Sequence, residues 1–445
     1  MRLRDRLSPF QAELGLPAAT SSSDPSRSER IARLRALIES VQLRDPASLP
    51  ARAAPQAEPT ASRLPGETLQ TASGPLHRIE RWLAPEHRHG RVLVRHALEA
   101  GAAVLARLAL DPSLEGLDLS RMLVLDTETT GLSGGAGTVP FLIGLGWFEQ
   151  GAFKLEQLFL MNFGGEVPLL RYLADQLARA SCIVTYNGKS FDWPLLRSRF
   201  IMNRVACPEP PPHIDLLHCA RRVLKPRLSS IRLVEVERGL LQFYRDDDID
   251  GAEIPGRYLS YLRGGDPRLL LPVLEHNAHD VIALTAVLWR LCAHFEQVRP
   301  GDDPRDHLAY ARVAMRAGDL ECARAFGEAA AAFGGDHALV GDAFALCAAV
   351  ARRSGDADSA ALLWQRALEV APCAISAARA HLALTRLYER PLKDLARAHQ
   401  HAQGTLAIEG ELAHARRLAR LRRRLERAAL AAATKARTRV VCAAE

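Results

Sequence analysis

Apolar positions change rhythm three times along this chain. In residues 1–75 they are sparse, and Ser, Pro and Ala cluster at Ala18–Ser26 and Ala47–Ser73, so this stretch is read as mostly irregular. Its one helical rhythm is Ile31, Leu34, Leu37, Ile38 and Val41 behind the Asp24-Pro25 start signal, which predicts a single amphipathic helix. Val92 to Leu110 reads as a helix leading into a strand. From Arg121 to about Arg299 apolar runs of strand length follow: Met122 to Leu125, Phe141 to Phe148 and Phe153 to Met161, joined by short turns. A helix over Val167 to Arg179 and a further strand over Cys182 to Tyr186 complete a meander followed by a crossover. After Asp302 the chain is Ala-rich and helical. There Phe344, Ala348, Ala360, Trp364, Ala367 and Pro372 fall at the spacing of a tetratricopeptide repeat, whose period is about 34 residues. Ala311, Gly318, Ala323 and Ala330 suggest an earlier copy and Ala377 to about Leu406 a degraded third, with a plain helical bundle as the alternative.

Acids interrupt the apolar rhythm at three places. Met122-Leu-Val-Leu runs into Asp126 and Glu128, which lie two apart and so project from one face of the strand end. Two like charges held that close call for a cation between them. The second place is Asn187-Gly-Lys-Ser-Phe-Asp192, just after a buried strand. Ser190 is a natural N-cap there and puts Asp192 in the first turn of a helix, where a carboxylate is favoured for structural reasons alone. The third is Glu275-His-Asn-Ala-His-Asp280, at the start of a helical apolar rhythm that sets His276 and Asp280 on one face and turns His279 about 100° away. Asp215 is read as a helix cap or a support for the site, and Asp246-Asp247-Asp248 as solvated loop. His77, His87, His89 and His96 lack the spacing and companions of a metal site. The glycines of Ser133 to Gly137 are not followed by Gly-Lys-Ser/Thr and do not make a phosphate loop. Phe141, Tyr186 and Trp193 lie near the acidic motifs but are assigned to the core.

Composition narrows the class. At 445 residues, 48% hydrophobic and 24% charged, the chain has room for two or three globular domains. No run of eighteen apolar residues and no charged-then-apolar leader is present, so neither a membrane span nor a secretory signal is expected, and the cytoplasm is the expected location. Eight cysteines without a Cys-x-x-Cys pair fit reduced thiols. The net charge of +7 is concentrated at one end. Ten Lys or Arg stand against three Glu in residues 411–445, which leaves residues 1–410 balanced at 48 against 48. This basic tail is either a foothold on nucleic acid or a solvated helix.

Asp-x-Glu-Thr-x-Gly-Leu, then Asn-x-x-x-Phe-Asp-x-x-x-Leu, then His-Asn-x-x-Asp, in that order, resembles the DEDD superfamily of 3′-to-5′ exonucleases on the ribonuclease H fold. The Gly-Gly-x-Gly-Thr loop and the form of the third motif look most like its YprB-like branch. The resemblance spans roughly Leu76 to Arg299. It implies an α/β ribonuclease H-like domain over 76–299, a mixed sheet with flanking helices; the repeat spacing places an all-α tetratricopeptide-like region over 302–410 after it, and the charge a basic helical tail over 411–445. It implies Asp126, Glu128, Asp192 and Asp280 as the metal-binding acids, which match the charge of two Mg²⁺ or Mn²⁺ ions, with His276 as general base. Better-known branches place a tyrosine four residues before the last acid or a histidine five before it, whereas here a histidine stands four before. The expected partner is nucleic acid, DNA or RNA, with a protein partner for the repeats and no membrane. A binding scaffold on a vestigial nuclease fold, and an endonuclease of the same fold, are the alternatives.

Overall fold

The structure, a computed structural model, describes residues 64–131 and 137–442, with backbone alone for 435–442. It opens with the hairpin β1 (Glu67–Thr71) and β2 (Gly74–Leu83), then the small hairpin β3 (Arg88–His89) and β4 (Val92–Leu93), and α1 (Ala102–Ala109). The stretch read as irregular therefore ends in sheet, because the turn at Thr71 to Gly74 lets β1 pair along β2. The helix expected at 31–41 lies outside the described residues. The helix expected over Val92 to Leu110 is divided. Val92 and Leu93 pair with His89 and Arg88 in the small hairpin, Val94–Glu99 forms a 3₁₀ turn, and Gly101 is extended before α1 starts.

The meander comes next: β5 (Met122–Thr129), β6 (Pro140–Glu149) and β7 (Ala152–Phe159). Then follow α2 (Glu166–Arg179), β8 (Cys182–Thr185), α3 (Asp192–Met202), β9 (His213–Asp215) and α4 (Leu216–Leu224). A short α5 (Leu233–Val236) runs into a π turn over Glu237–Leu241, and α6 (Ile254–Leu262) and the long α7 (Leu271–Glu296) close this part. The seven strands form one mixed sheet in the order β1-β2-β7-β6-β5-β8-β9. The meander is antiparallel, and β5, β8 and β9 are parallel. Met122 to Leu125 are buried on both faces, as a central strand covered by helices requires. Met122 and Val124 lie in the core with α7, and Leu123 and Leu125 lie in the core with α2.

The remainder is helical: α8 (Pro304–Ala317), α9 (Leu320–Phe333), α10 (His337–Arg353), α11 (Ala357–Glu369), α12 (Ala374–Glu389), α13 (Leu395–Ala402), α14 (Leu406–Glu409) and α15 (Glu411–Cys442). Successive helices pack pairwise, and small buried residues at the contacts, among them Ala323, Ala330, Ala348 and Ala360, let them approach closely. Gly318 makes the left-handed turn between α8 and α9 at φ 85°. The helical part is not a separate body hung on a linker. Phe295 of α7 stacks on Tyr310 of α8 and Phe326 of α9, so one core runs from the sheet into the helices. Among the described residues no helix is long and apolar enough to cross a membrane.

Candidate active site

The even positions of β5 leave the core at its carboxyl end as Asp126 and Glu128, both partly exposed. Across the strand pair Asp126 faces Gly144 of β6. A Cβ at Gly144 would lie 2.4 Å from Asn277 Oδ1 and 2.7 Å from Val281, so the missing side chain is what lets α7 lie against the sheet. Buried Gln157 of β7 then donates to the carbonyl of Leu274 at 2.7 Å and to Asn277 Oδ1 at 3.0 Å. With its oxygen engaged, Asn277 turns its NH₂ outward and donates to Asp126 Oδ2 at 2.9 Å. The helix is thereby keyed to the strand through Asp126 itself.

The same anchoring presents His276 and Asp280 to Glu128. Ligand atoms of Glu128, His276 and Asp280 all lie within 4.8 Å of one another. His276 Nε2 stands 3.9 Å from Glu128 Oε1 and 3.7 Å from Asp280 Oδ2. His279, turned away as helix geometry requires, pairs with Glu275 and packs beside Phe243.

Asp192 reaches the site from the other face of β5. It opens α3 as expected, but Phe191 takes the N-cap position and no side chain caps the helix. Thr127 Oγ1 donates to Asp192 Oδ1, which is buried beneath the strand end. The approach to Asp192 is held by Asp215, which accepts the backbone N–H of Asn187 at 2.8 Å and of Lys189 at 3.1 Å while capping α4 through Leu217 N–H at 3.1 Å. The reading of Asp215 as a helix cap is met, and the same carboxylate also fixes the turn that leads to Asp192.

The π turn and the loop after it bring two residues that the sequence did not single out, Glu237 and Arg245. Arg245, its side chain 1% exposed, donates to Asp280 Oδ1 and also pairs with Glu237 at 2.7 Å and with Asp248 at 3.3 Å. Glu237 is completed on its other oxygen by His89 Nε2 at 2.7 Å. Asp248 Oδ1 lies 2.7 Å from His276 Nδ1. Asp246, Asp247 and Asp248 are all exposed, as a solvated loop should be, but the Asp248 side chain is engaged by His276 and Arg245. The four N-terminal histidines do not converge among the described residues. His77 bonds Thr68 and the carbonyl of Pro65, His89 bonds Glu237, and His96 stacks on Trp289. Phe141 stacks on Tyr258 and the Tyr186 hydroxyl donates to the carbonyl of Ile231, so these aromatics belong to the packing.

Glu237, Asp248 and Asp280 thus share Arg245, Glu128, His276 and Asp280 form one cluster, and Asp126 and Asp192 adjoin it through Asn277 and Thr127. Burial, then the charges of Asp280 and Asp192, push the Asp126 carboxyl well above its usual range, against the pull of Asn277 and Arg245. Burial, then Asp126, Asp280 and Asp192, do the same to Glu128. Burial lifts Asp192 to about 6. Asp248 moves down: burial opposes its ionisation, but His276 and Arg245 outweigh it. Negative charge is in excess and the donors are oxygens, partly exposed at Asp126, Glu128 and Asp280 and buried at Asp192, which is the donor set that hard divalent cations take.

Comparison with known proteins agrees with this geometry in part. Residues 123–292 match the RNase_H superfamily, a stretch that runs from β5 to α7 and includes every acid of the cluster. The uncharacterized protein YprB of Bacillus subtilis (strain 168) is 37% identical over 177 residues, covering 39% of this chain and 43% of that protein. The chain thus spans less than half the length of this curated relative. Among solved structures, the family B DNA polymerase of Pyrobaculum calidifontis aligns over 53% of this chain and 29% of its own at 15% identity and a TM-score of 0.32, too distant to carry weight. The superfamily match supports an RNase H-like domain and a nuclease-type function for it.

Proposed function

We propose that this protein is a metal-dependent nuclease, a 3′-to-5′ exonuclease acting on single-stranded ends of DNA or RNA. The observation that carries the reading is the gathering of Asp126, Glu128, Asp192 and Asp280 about one strand end, where burial and then neighbouring carboxylates raise the pKa values of Asp126, Glu128 and Asp192. RNase H-like nucleases generally use divalent metal ions, and this donor set fits them. Asp126, Glu128, Asp192 and Asp280 would hold two Mg²⁺ or Mn²⁺ ions, which when bound supply charge stabilisation at the attacking and leaving oxygens of the phosphodiester.

The chain's own groups do the rest. With Asp248 accepting from His276 Nδ1, the imidazole keeps its lone pair on Nε2, the nitrogen that faces Glu128 and Asp280. His276 then accepts the proton of the attacking water. A histidine four residues before the last acid can serve because Asp248, from a distant loop, sets its tautomer. Arg245 occupies Asp280 Oδ1 and leaves Oδ2 toward the cluster. Asn277 holds Asp126 in register with α7. The helix pairs beyond α7 are read as tetratricopeptide-like repeats that position substrate or a protein partner.

The test is cleavage of 5′-labelled single-stranded DNA and RNA with Mg²⁺, with Mn²⁺ and with chelator, beside Asp126→Asn. The expected result is a metal-dependent ladder shortening from the 3′ end and absent in the variant. Internal cuts at short times would make the enzyme an endonuclease. Binding without cleavage under every condition would leave a scaffold on a nuclease fold.

A further inference from the structure

We propose that an arginine-lined cavity in the helical region is a second nucleic-acid site, which takes a stretch of single strand by its phosphates and one base. The cavity, about 670 Å³, lies between α10, α11, α12 and α15, and its wall includes Arg352, Trp364, Arg386, Arg390, Arg417 and Arg420. The inference rests on the nuclease reading only for the origin of the strand; the site itself is independent of the acid cluster.

The arginines fall into two sets. On α15, Arg420 and Arg424 both clasp Glu389, a largely buried carboxylate at the end of α12, and Arg417 forks onto Glu409 with two contacts of 2.9 Å. These pairs hold α15 over the cavity and orient its guanidinium groups. Arg352 and Arg390 make no ion pair or side-chain hydrogen bond among the described residues, and Arg386 feels Glu409 only at a distance. Arg352 and Arg386 stand in the last turns of their helices, where the partial negative charge of the helix end draws a cation without neutralising it. Five arginines thus line the cavity, with Glu389 the one carboxylate among its lining residues. A wall with that excess, closed on one side by the segment that holds the chain's whole net charge, is completed by an anion.

Two features select the anion. Trp364, half-buried in the wall, supplies a flat apolar surface on which any base can stack. Beyond the cavity, Arg416, Arg423 and Arg427 continue the positive charge along the exposed surface of α15, which suits a chain of phosphates rather than a single one. Guanidinium forks match phosphate geometry, and an indole among them adds a base subsite. An acidic protein segment would use the charges but gain nothing from the aromatic face.

The experiment uses the full chain carrying Asp126→Asn, so that substrate survives, and reads fluorescence anisotropy of a labelled single-stranded oligonucleotide as salt is varied. The added double substitution Arg352→Gln with Arg390→Gln, both at exposed positions, is expected to weaken binding about tenfold near 0.1 M salt. It should also reduce the slope of log K against log salt by about 1.4, the equivalent of two single-strand phosphates. Trp364→Leu is expected to weaken binding about tenfold with the slope unchanged, and Trp364→Phe, which keeps an aromatic face, much less. Unchanged affinity and slope in these variants, or no binding of oligonucleotide at all, would overturn the proposal. So would a poly-glutamate peptide that displaces the oligonucleotide at equal charge concentration and binds Trp364→Leu as tightly as the parent, since the cavity would then serve an acidic protein. Failure of the nuclease reading looks different: the wild type would bind through these arginines and cleave nothing.

Discussion

The two charged regions of this chain are built on opposite terms. At the end of β5, Glu237, Asp248 and Asp280 pair with a single buried arginine, Asp126, Glu128 and Asp192 lie beside them, and burial with mutual repulsion drives Asp126 and Glu128 upward in pKa. Beneath α15, most of the arginines reach solvent, and two carboxylates pair with some of them while the rest stand free. Exposed charges cost little and are screened within about 10 Å at ordinary salt, whereas buried like charges repel at full strength. On the readings proposed above, the acid cluster takes a compact cation and the arginine wall an extended anion. Degree of burial, more than sign, tells what kind of partner each region takes.

The largest way to break the contrast is to remove an acid. Asp192→Asn, which keeps an acceptor for Thr127, is expected to cut cleavage about a thousandfold or more while the protein still melts cooperatively. Cleavage near the wild-type rate would take Asp192 out of the site. Next in size, Asp248→Ala should slow turnover about 10- to 100-fold with oligonucleotide affinity intact, and Asp248→Asn should slow it less, because Asp248 acts through the orientation of His276. An equal loss in affinity would make it a substrate contact instead.

Gly144→Ala probes the packing under the cluster. The new methyl group would meet Asn277 and Val281, so denaturant unfolding should show a loss of about 1–3 kcal/mol. A neutral substitution would mean that α7 shifts freely and does not key Asp126.

The smallest effect sharpens the electrostatics. An acid whose folded pKa is raised stabilises the fold only below the usual carboxylate range, and that contribution is lost as pH rises through the folded value. In chelator, Asp126→Asn should therefore melt at the wild-type temperature near pH 4 and gain a few degrees over it by about pH 7, a gain that Mn²⁺ erases by stabilising only the wild type. A difference that stays constant with pH would show that Asp126 is not held as a strained carboxylate.

Much of the sheet part was legible. The strands expected at 122–125, 141–148, 153–161 and 182–186 appear as β5 to β8, because apolar runs of strand length bounded by turns are a local signal. The region before it was less so. β1 and β2 are short or polar on one face, and their pairing depends on β7, far along the chain. The span expected as a helix over 92–110 has helical composition throughout, yet Val92 and Leu93 are committed to a hairpin that closes against α7.

By itself the sequence determined the strands and crossover helix from β5 to β8 and singled out the acids as candidates, since both rest on residues two to five apart. Only the tertiary structure decided how those acids are completed. Asn277 reaches Asp126 across 151 positions, Arg245 reaches Asp280 across 35 and Asp248 reaches His276 across 28. No period or motif encodes such pairs. They arise because a carboxylate taken out of water must find a donor, and which donor is near is settled by the packing of α7 on a glycine strand.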